Sequence, residues 1–363
     1  MAAKPRLAMA MIGTGFIARA HANAFHQVGR FFDIPFELST KVVCGRNQER
    51  LRSFQRQWGW EEAASDWQSV VARKDIEIVD IAVPNALHFP IAMAAAAAGK
   101  MVFSEKPLAL TLEEANEMAR ALHGVPNLVW FNYRRAPAVR FAKQLIAENR
   151  IGQVFHYRAY YFNQSGTDPA KGQTWRYQRA QAGSGALGDL LSHSLDTALY
   201  LNGPIGALSA MTHTFVPDRE VDDAVLLMAR FSSGSLGSFE ASRFGVGRPN
   251  GHGFEIYGSG GSLGFDFEDM NRLRFFDRSE APQLQAARSL LVTGPNQPYA
   301  TNFWKPGHPL GYEHTFIATL ADFLSALAHH QPFHPNFEDG LAIQRLLATI
   351  ESSAASGKWQ TIE

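Results

Sequence analysis

The sequence predicts an α/β protein of two domains: a doubly wound parallel sheet, then an α+β domain with a large open, mostly antiparallel sheet. At 363 residues the chain is long for one domain. In its first third, short apolar runs alternate with helical patterns, as in parallel strands that helices cover on both faces. From about residue 151 the runs are longer and aromatic, and Gly–Ser turns separate them, which favours antiparallel pairing. We therefore expect domains over residues 1–133 and 134–363.

The elements of the first domain follow from this alternation. Apolar runs predict buried strands at 7–13, 41–45, 76–84, 101–105 and 128–134. Helical periodicity lies between them, at 16–29, 47–58, 66–73, 87–98 and 111–123. Thr111 and Glu114 form a capping box at the start of the last of these helices.

The second domain is predicted to be richer in strands. We expect them at 154–164, 208–216, 222–231, 235–244, 254–258, 262–267 and 272–277, with a short end strand in KWQTI. A helix containing GDLLSHSLD (188–196) is inserted after the first strand, and 280–298 is predicted to be a loop. Two further helices are expected at 311–329 and 339–354.

Composition excludes several classes of protein. Acidic and basic residues balance at 34 each, so the chain lacks the charge excess of proteins that bind nucleic acid or anionic membranes. The single cysteine, Cys44, excludes an internal disulfide framework and fits a reducing compartment. The first apolar run leads directly into a glycine turn, and IAMAAAAAG (91–99) is too short to span a bilayer. We expect a soluble, cytoplasmic protein.

A glycine fingerprint follows the first strand. LAMAMIGTGFIARAH has the order strand, G-x-G-x-x-A, helix. Gly13 permits the tight turn, Gly15 lets a pyrophosphate approach the backbone, and Ala18 lets the helix pack closely on the strand. This setting predicts a dinucleotide-binding Rossmann domain, in which the loop residues contact the cofactor: Gly13, Thr14, Gly15, Phe16 and Ile17.

The end of the second strand bears on the choice of dinucleotide. It reads CGRN and lacks the carboxylate that usually binds the ribose 2′-hydroxyl, and Gly45 and Arg46 are expected to lie beside the cofactor. Arg46 can pair with a 2′-phosphate, which favours NADP, or it can stack on the adenine or point to solvent.

Two further loops lie at the carboxyl ends of predicted strands, where ligands of open α/β sheets bind. In VPNALH (83–88), Pro84 and Asn85 end the strand, and with His88 they are predicted to contact the cofactor. In SEKPLA (104–109), Glu105 and Lys106 are predicted to do the same, and the lysine ammonium can also polarise a substrate hydroxyl.

The inserted helix carries a polar stripe. Helical spacing places Asp189, His193 and Asp196 on one side. By themselves these residues fit three interpretations: a capped helix with a polar face, a metal site, or a pair that handles a proton.

Taken in order, GTGFIARAH, VPNALH, SEKPLA and GALGDLLSHSLD resemble the Gfo/Idh/MocA oxidoreductases over nearly the whole chain. In that family a lysine in an E-K-P motif works with an aspartate and a histidine spaced D-x-x-x-H. The resemblance implies that Lys106, Asp189 and His193 are catalytic. Leucines replace the small residue that usually follows the aspartate, and the spacing is intact.

Further phrases, CGRN, FNYRRAPAV, TWRYQRAQAGSGALGD and GHPLGYEHTF, are similar to the branch of this family that oxidises levoglucosan-like anhydrosugars and glycosides. The resemblance implies an NAD(P)-dependent dehydrogenase that oxidises a secondary hydroxyl of a sugar, anhydrosugar, glycoside or cyclitol. It favours NAD, against Arg46, and implies homodimers or homotetramers through the open sheet.

The residues suggest a division of roles. His193 is the natural base, Asp189 binds a neighbouring hydroxyl or orients the imidazole, and Lys106 stabilises the developing alkoxide. In the alternative, Lys106 is the base and His193 its hydrogen-bonding partner. Besides these three residues, sugar-binding candidates are Trp175, Arg176, Asn163 and Arg134, and more weakly Tyr160, His308 and Tyr312.

Other functions remain as alternatives. A metal site from Asp189, His193 and Asp196 would suit a sugar isomerase, but no convincing further ligand cluster accompanies it, and we expect no metal. A sugar sensor that binds dinucleotide without turnover would not need the catalytic residues. An NAD-dependent glycosidase of the same fold would cleave its substrate without net cofactor reduction.

Overall fold

The computed structural model describes residues 4–168 and 174–362. Contacts divide the chain into two units, Met1–Asn132 with Tyr312–Gln344, and Tyr133–Gly311 with Arg345–Glu363. The stretch Tyr312–Gln344 thus groups with the first unit, whereas the predicted second domain included it. The physical reason is that the helix beginning at Tyr312 packs along the first helix of the chain, with Phe316 5.6 Å from the His21 ring. The predicted domain boundary itself stays a prediction.

The first unit contains a six-stranded parallel sheet. Its strands are β1 (Arg6–Ile12), β2 (Glu37–Cys44), β3 (Glu62–Ala64), β4 (Ile78–Ile81), β5 (Met101–Ser104) and β6 (Asn127–Val129). Their order, β3-β2-β1-β4-β5-β6, confirms the doubly wound arrangement. Adjacent strands therefore bring the loops after β1, β4 and β5 to one edge of the sheet.

Two strands of this sheet differ from the prediction. β3 was not predicted, because the three residues EAA carry almost no apolar pattern. The strand expected at 128–134 ends at Val129 instead. The Phe131 N–H bonds back to the Val129 carbonyl at 2.7 Å, and the 3₁₀ turn Asn132–Arg135 follows, so the apolar residues after Val129 are buried without being in a strand.

The helices of this unit begin where expected. They are α1 (Phe16–Phe31), α2 (Gln48–Gln57), α3 (Trp67–Val71), α4 (His88–Ala97) and α5 (Leu112–Ala121). Thr111 Oγ1 accepts the Glu114 N–H at 3.2 Å, as in a capping box. The Glu114 carboxylate, however, accepts the Leu110 N–H at 3.0 Å rather than that of Thr111.

The second unit contains a nine-stranded sheet. Its strands are β7 (Val154–Phe162), β8 (Ile205–His213), β9 (Ala224–Phe231), β10 (Leu236–Ser242), β11 (Gly251–Gly258), β12 (Gly261–Asp266), β13 (Arg272–Asp277), β14 (Arg288–Leu291) and β15 (Gln360–Thr361). The order is β14-β13-β12-β11-β7-β10-β9-β8-β15, and β10 pairs with β7 in parallel while the other described pairs are antiparallel. The mixed, mostly antiparallel sheet is confirmed. The loop prediction for 280–298 was wrong at β14, a short edge strand with mixed polarity.

The described residues leave one face of this sheet largely exposed. Burial alternates strictly along β9, where odd-numbered residues are buried and most even-numbered ones are exposed. Strand pairing brings large apolar side chains together on the exposed side, and we call this surface the open sheet face: Met211, Leu226, Met228, Leu236, Tyr257 and Trp359.

The remaining helices complete the second unit and the end of the first. They are α6 (Pro137–Ala147), α7 (Arg179–Ala182), α8 (Ser192–Asn202), α9 (Ala300–Phe303), α10 (Tyr312–Ala328) and α11 (Phe337–Ser356). Among the described residues, none of the helices combines the length and apolarity needed to cross a membrane.

The predicted helix around GDLLSHSLD is present, but its first turn is unusual. Leu187–Leu191 is π-helical and continues into α8. The Asp222 carboxylate accepts the backbone N–H groups of Gly185 at 2.6 Å and Leu187 at 2.7 Å, and so caps this segment from a distant loop. Gly185 is required there, because a Cβ would lie 1.7 Å from the Asp222 carbonyl oxygen.

Candidate active site

The phosphate loop has the geometry that a dinucleotide needs. Gly13 has φ of +130°, and a Cβ there would lie 2.1 Å from the Ala82 carbonyl oxygen. Gly15 is the N-cap of α1, and its Cβ position faces open space, which leaves room for a phosphate. The first turn of α1 contains no acidic residue to compete with an anion. Thr14, Ile17 and an exposed Phe16 complete the loop, so the predicted cofactor residues lie together.

At the end of β2 the structure leaves Arg46 exposed, without an ion pair to another described residue. Gly45 packs against Thr14, whose Cγ2 would be 3.0 Å from a Cβ. The next polar side chain, Asn47, is engaged as the N-cap of α2, where it accepts the Arg50 N–H at 2.9 Å. The predicted contact of Arg46 with the adenosine end of a dinucleotide stays a prediction.

The loops after β4 and β5 are tied together by His88. Its Nδ1 lies 3.0 Å from the Pro107 carbonyl oxygen and its Nε2 3.0 Å from that of Val83. Burial lowers its pKa, so the neutral ring donates to one of the two carbonyls. The predicted cofactor contact of His88 stays a prediction, as do those of Pro84 and Asn85 at the start of the same loop.

A buried charge cluster, which the sequence analysis missed, lies beneath Glu105. His21 places Nδ1 2.9 Å from Asp80 Oδ2 and Nε2 3.1 Å from Glu105 Oε1. The Trp130 indole donates to the other Asp80 oxygen at 2.9 Å. Burial by itself lowers the His21 pKa, but Asp80 and Glu105 together raise it to about 9. His21 is therefore an imidazolium that donates to both carboxylates.

Lys106 lies at the edge of this cluster and is half-buried. Its backbone N–H donates to Glu105 Oε2 at 3.2 Å. Glu105 thus accepts a hydrogen bond from the Lys106 backbone N–H with one oxygen and from His21 Nε2 with the other. The Glu105 side chain is 10% exposed, so this residue supports the loop from a largely buried position. It is also a predicted cofactor contact.

In the second unit, Asp189 is held by an arginine that the sequence analysis did not single out. Arg243 donates through Nη2 to Asp189 Oδ2 at 3.1 Å and through Nη1 to the Arg176 carbonyl at 3.2 Å, and lies over the Tyr177 ring. The Arg243 side chain is 2% exposed and that of Asp189 is 32% exposed. Arg243 therefore orients the Asp189 carboxylate, and part of this carboxylate side chain remains exposed to solvent.

His193 is held by aromatic packing. Its ring stacks on the Tyr133 ring with centroids 4.5 Å apart. The Tyr133 ring also stacks on His252, with centroids 5.1 Å apart. Tyr133 and Tyr161 share a hydroxyl hydrogen bond of 3.1 Å. Burial lowers the pKa of His252 to about 4, so this second histidine is neutral. The cluster restricts the imidazole of His193, which is 7% exposed.

Alternation along β10 offered a signal for Arg243. Gly237, Phe239 and Ala241 are buried, and Arg243 continues this inward register immediately after the strand. An arginine at a buried position needs an anionic partner, which predicts a carboxylate nearby.

Arg134 and Asp196 are brought together as a buried pair. Arg134 donates to Asp196 through Nε at 3.0 Å and Nη2 at 2.6 Å, and the two residues are 5% and 1% exposed. The predicted sugar contact of Arg134 stays a prediction, since these two nitrogens face Asp196. Within residues 4–168 and 174–362, no three His, Cys, Asp or Glu side chains are arranged so that together they could hold a metal ion.

The other sugar-binding candidates lie in varied settings. Arg176 is exposed and stacks over Trp175 at 4.5 Å, just ahead of α7. Asn163 Oδ1 accepts the backbone N–H and the hydroxyl of Ser165. The weaker candidates differ: the Tyr160 hydroxyl donates to Asp266, His308 is exposed, and Tyr312 stacks on Phe16 within the first unit.

Comparison with known proteins identifies the family to which the chain belongs. Residues 7–133 match an oxidoreductase family with an NAD-binding Rossmann fold, and residues 139–264 match the Gfo/Idh/MocA C-terminal domain. The levoglucosan dehydrogenase of Pseudarthrobacter phenanthrenivorans is 37% identical over 97% of each chain. A solved complex of levoglucosan dehydrogenase with NADH and levoglucosan is 38% identical, covers 99% of each chain and has a TM-score of 0.96.

A crystal structure of an oxidoreductase domain protein from Kribbella flavida is also similar. It is 42% identical, has a TM-score of 0.95, and the match covers 99% of this chain and all of the other. These similarities confirm the resemblance and the fold class drawn from the sequence motifs. The chain belongs to the Gfo/Idh/MocA family of NAD-binding oxidoreductases.

Proposed function

We propose that the protein is an NAD-dependent dehydrogenase that oxidises a secondary hydroxyl of a levoglucosan-like anhydrosugar, or of a related sugar, glycoside or cyclitol, to the ketone. One observation carries this proposal. The similarity to a levoglucosan dehydrogenase solved with NADH and levoglucosan extends over 99% of both chains. The phosphate loop and the residues Lys106, Asp189 and His193, at the positions that the family motif marks, support it.

The residues divide the chemistry as follows. When bound, a nicotinamide dinucleotide would supply the acceptor for the hydride that leaves the carbinol carbon, and the phosphate loop would hold it. His193 takes the hydroxyl proton, Asp189 binds a neighbouring hydroxyl, and the Lys106 ammonium stabilises the developing alkoxide. The partly exposed Asp189 carboxylate, oriented by Arg243, suits a group that binds a sugar hydroxyl.

His193 and Lys106 remain to be told apart as the base, and the pH profile distinguishes them. If His193 is the base, His193→Asn lowers kcat by roughly 100-fold or more and removes the acidic limb of kcat/KM. If Lys106 is the base, Lys106→Met removes that limb instead. His329→Asn and Lys74→Met change exposed residues of the same types and serve as controls.

The cofactor assignment has its own test. We favour NAD because the similar solved enzyme was solved with NADH, and because stacking of Arg46 on the adenine needs no phosphate. With NAD as cofactor, Arg46→Ala changes kcat/KM for NAD a few-fold. If Arg46 instead binds a 2′-phosphate, the same change lowers kcat/KM for NADP by about 10–150-fold, since a charge-assisted bond contributes roughly 1.5–3 kcal/mol.

The decisive experiment is a screen for NADH and NADPH formation. Levoglucosan, glucose, a methyl glucoside and myo-inositol are each incubated with the protein and NAD or NADP. We expect reduction of NAD with levoglucosan to be fastest. Release of aglycone without net reduction would show a glycosidase, and binding without either reaction would show a sensor.

We also propose that a second copy of the chain covers the open sheet face. Six large apolar side chains are exposed there on one side of one sheet, which is unusual for a monomer. The pattern favours a homodimer, or a homotetramer that contains it.

A further inference from the structure

The loop that carries Lys106 is held on both sides by buried histidines. Glu105, the residue before it, accepts a hydrogen bond from His21, and Pro107, the residue after it, places its carbonyl 3.0 Å from His88. Both histidine side chains are 0% exposed. All these residues belong to the first unit.

The His21 anchor acts through both oxygens of one carboxylate. His21 Nε2 lies 3.1 Å from Glu105 Oε1, and Glu105 Oε2 lies 3.2 Å from the Lys106 backbone nitrogen. Because a carboxylate is planar and rigid, fixing one oxygen fixes the direction of the other. The direction of the Lys106 backbone N–H is therefore set by the position of His21.

His21 itself is held firmly. Asp80 Oδ2 lies 2.9 Å from its Nδ1, and the His21 ring stacks on Trp130 with centroids 4.2 Å apart. The Trp130 indole closes the cluster by donating to Asp80. The imidazolium also balances the charge of one of the two buried carboxylates, Asp80 and Glu105.

His88 provides the second anchor. It bridges the carbonyls of Val83 and Pro107, which belong to the loops after neighbouring strands β4 and β5. Pro107 has no backbone N–H, so the loop cannot be held at that residue by a donated backbone bond. Its carbonyl is the backbone group of Pro107 that remains for such a contact.

We propose that His21 and His88 are positioning residues for the Lys106 ammonium, acting through Glu105 and the Pro107 carbonyl. This inference rests on the proposed catalytic role of Lys106. A lysine side chain has many rotamers, so the position of its ammonium group depends on how firmly the backbone that carries it is held. Loss of the His21 anchor should therefore lower kcat while leaving cofactor affinity largely unchanged.

Graded variants of His21 separate this role from general support. His21→Asn keeps a donor near Asp80 and loses the donor to Glu105, whereas His21→Gln can place its amide near the Nε2 position. We expect His21→Asn to lower kcat with NAD and levoglucosan by about 10–100-fold and His21→Gln to recover part of it. His26→Asn, at an exposed position on the same helix, should match wild type.

A readout independent of activity is amide hydrogen exchange of a peptide spanning 104–108. We expect faster exchange in His21→Asn and in His88→Asn, because each loses an anchor of this loop, and unchanged exchange in His26→Asn. His88→Asn also tests the inference if His21→Asn does not fold. Unchanged exchange in the anchor variants would overturn it.

A double-mutant cycle that combines His21→Asn with Lys106→Met separates the positioning role of His21 from the catalytic role of Lys106. If the anchors act through Lys106, His21→Asn costs little further activity in the Lys106→Met protein. Additive losses, or a kcat loss matched by an equal loss of NAD affinity, would show a structural role and overturn the inference. Wild-type kcat in Lys106→Met alone would instead refute the proposed role of Lys106.

Discussion

Replacing Arg243 by methionine tests whether the orientation of Asp189 matters for turnover. Arg243 is not among the predicted substrate-binding residues and is nearly fully buried, so we expect it to act through the 3.1 Å bond to Asp189 and the 3.2 Å bond to the Arg176 carbonyl. Methionine keeps much of the apolar stem and removes both donors.

The size of the effect follows from these two bonds. A hydrogen bond between charged groups contributes roughly 1.5–3 kcal/mol, which would be about 10–150-fold in kcat/KM if fully expressed in the transition state. The Asp189 side chain is 32% exposed, so water replaces part of the lost interaction and the lower end of that range is expected. Because the Asp189 carboxylate is partly exposed, the variant does not contain a fully buried charge that has lost its partner. We therefore expect the free energy of unfolding to fall by about 2 kcal/mol or less.

The assay is steady-state NADH formation together with urea unfolding. Arg243→Lys keeps the charge without the planar fork and should be intermediate. Arg272→Met changes an exposed arginine of the same unit and should match wild type. If Arg243→Met keeps wild-type kcat/KM while Asp189→Asn loses activity, the orientation argument is refuted.

Three other changes have defined outcomes. The His21 pKa is raised from 6.5 to about 9, so its contribution to stability is complete below pH 6.5 and is lost as the pH rises through about 9; the difference in urea unfolding free energy between wild type and His21→Asn should shrink over that range, and a constant difference would contradict this. Gly13→Ala places a Cβ 2.1 Å from the Ala82 carbonyl oxygen at a positive φ, so it should abolish NAD binding measured by calorimetry, whereas unchanged affinity would disprove the close approach. Leu226→Glu puts a charge on the open sheet face and should shift sedimentation toward the monomer, with Leu284→Glu, at an exposed leucine outside the strands, as the matched control; unchanged assembly would exclude this face as the interface.

Local features of the sequence predicted most of the architecture. The turn at Gly13 depends on its own backbone angle, the strands follow from apolar runs of adjacent residues, and the four-residue spacing of Asp189 and His193 holds on any helix. These signals lie within a few residues of one another, so they could be recognised before the chain was folded. The short edge strands β3 and β14 were missed for the same reason, because few residues carry their pattern.

The contacts that support the candidate site could not be found this way. His21 is separated from Asp80 by 59 residues and from Glu105 by 84, and Arg243 lies 54 residues from Asp189. Neither helical nor strand periodicity reports on such distances.

The sequence by itself therefore determined the fold class, the phosphate loop and the residue types of the proposed chemistry, because these depend on short-range patterns. Only the tertiary structure decided which partners orient those residues. It assigned Arg134 to Asp196 and Arg243 to Asp189, and it placed His21 beneath Glu105. A buried charge needs a partner, but the partner is set by how distant segments pack together.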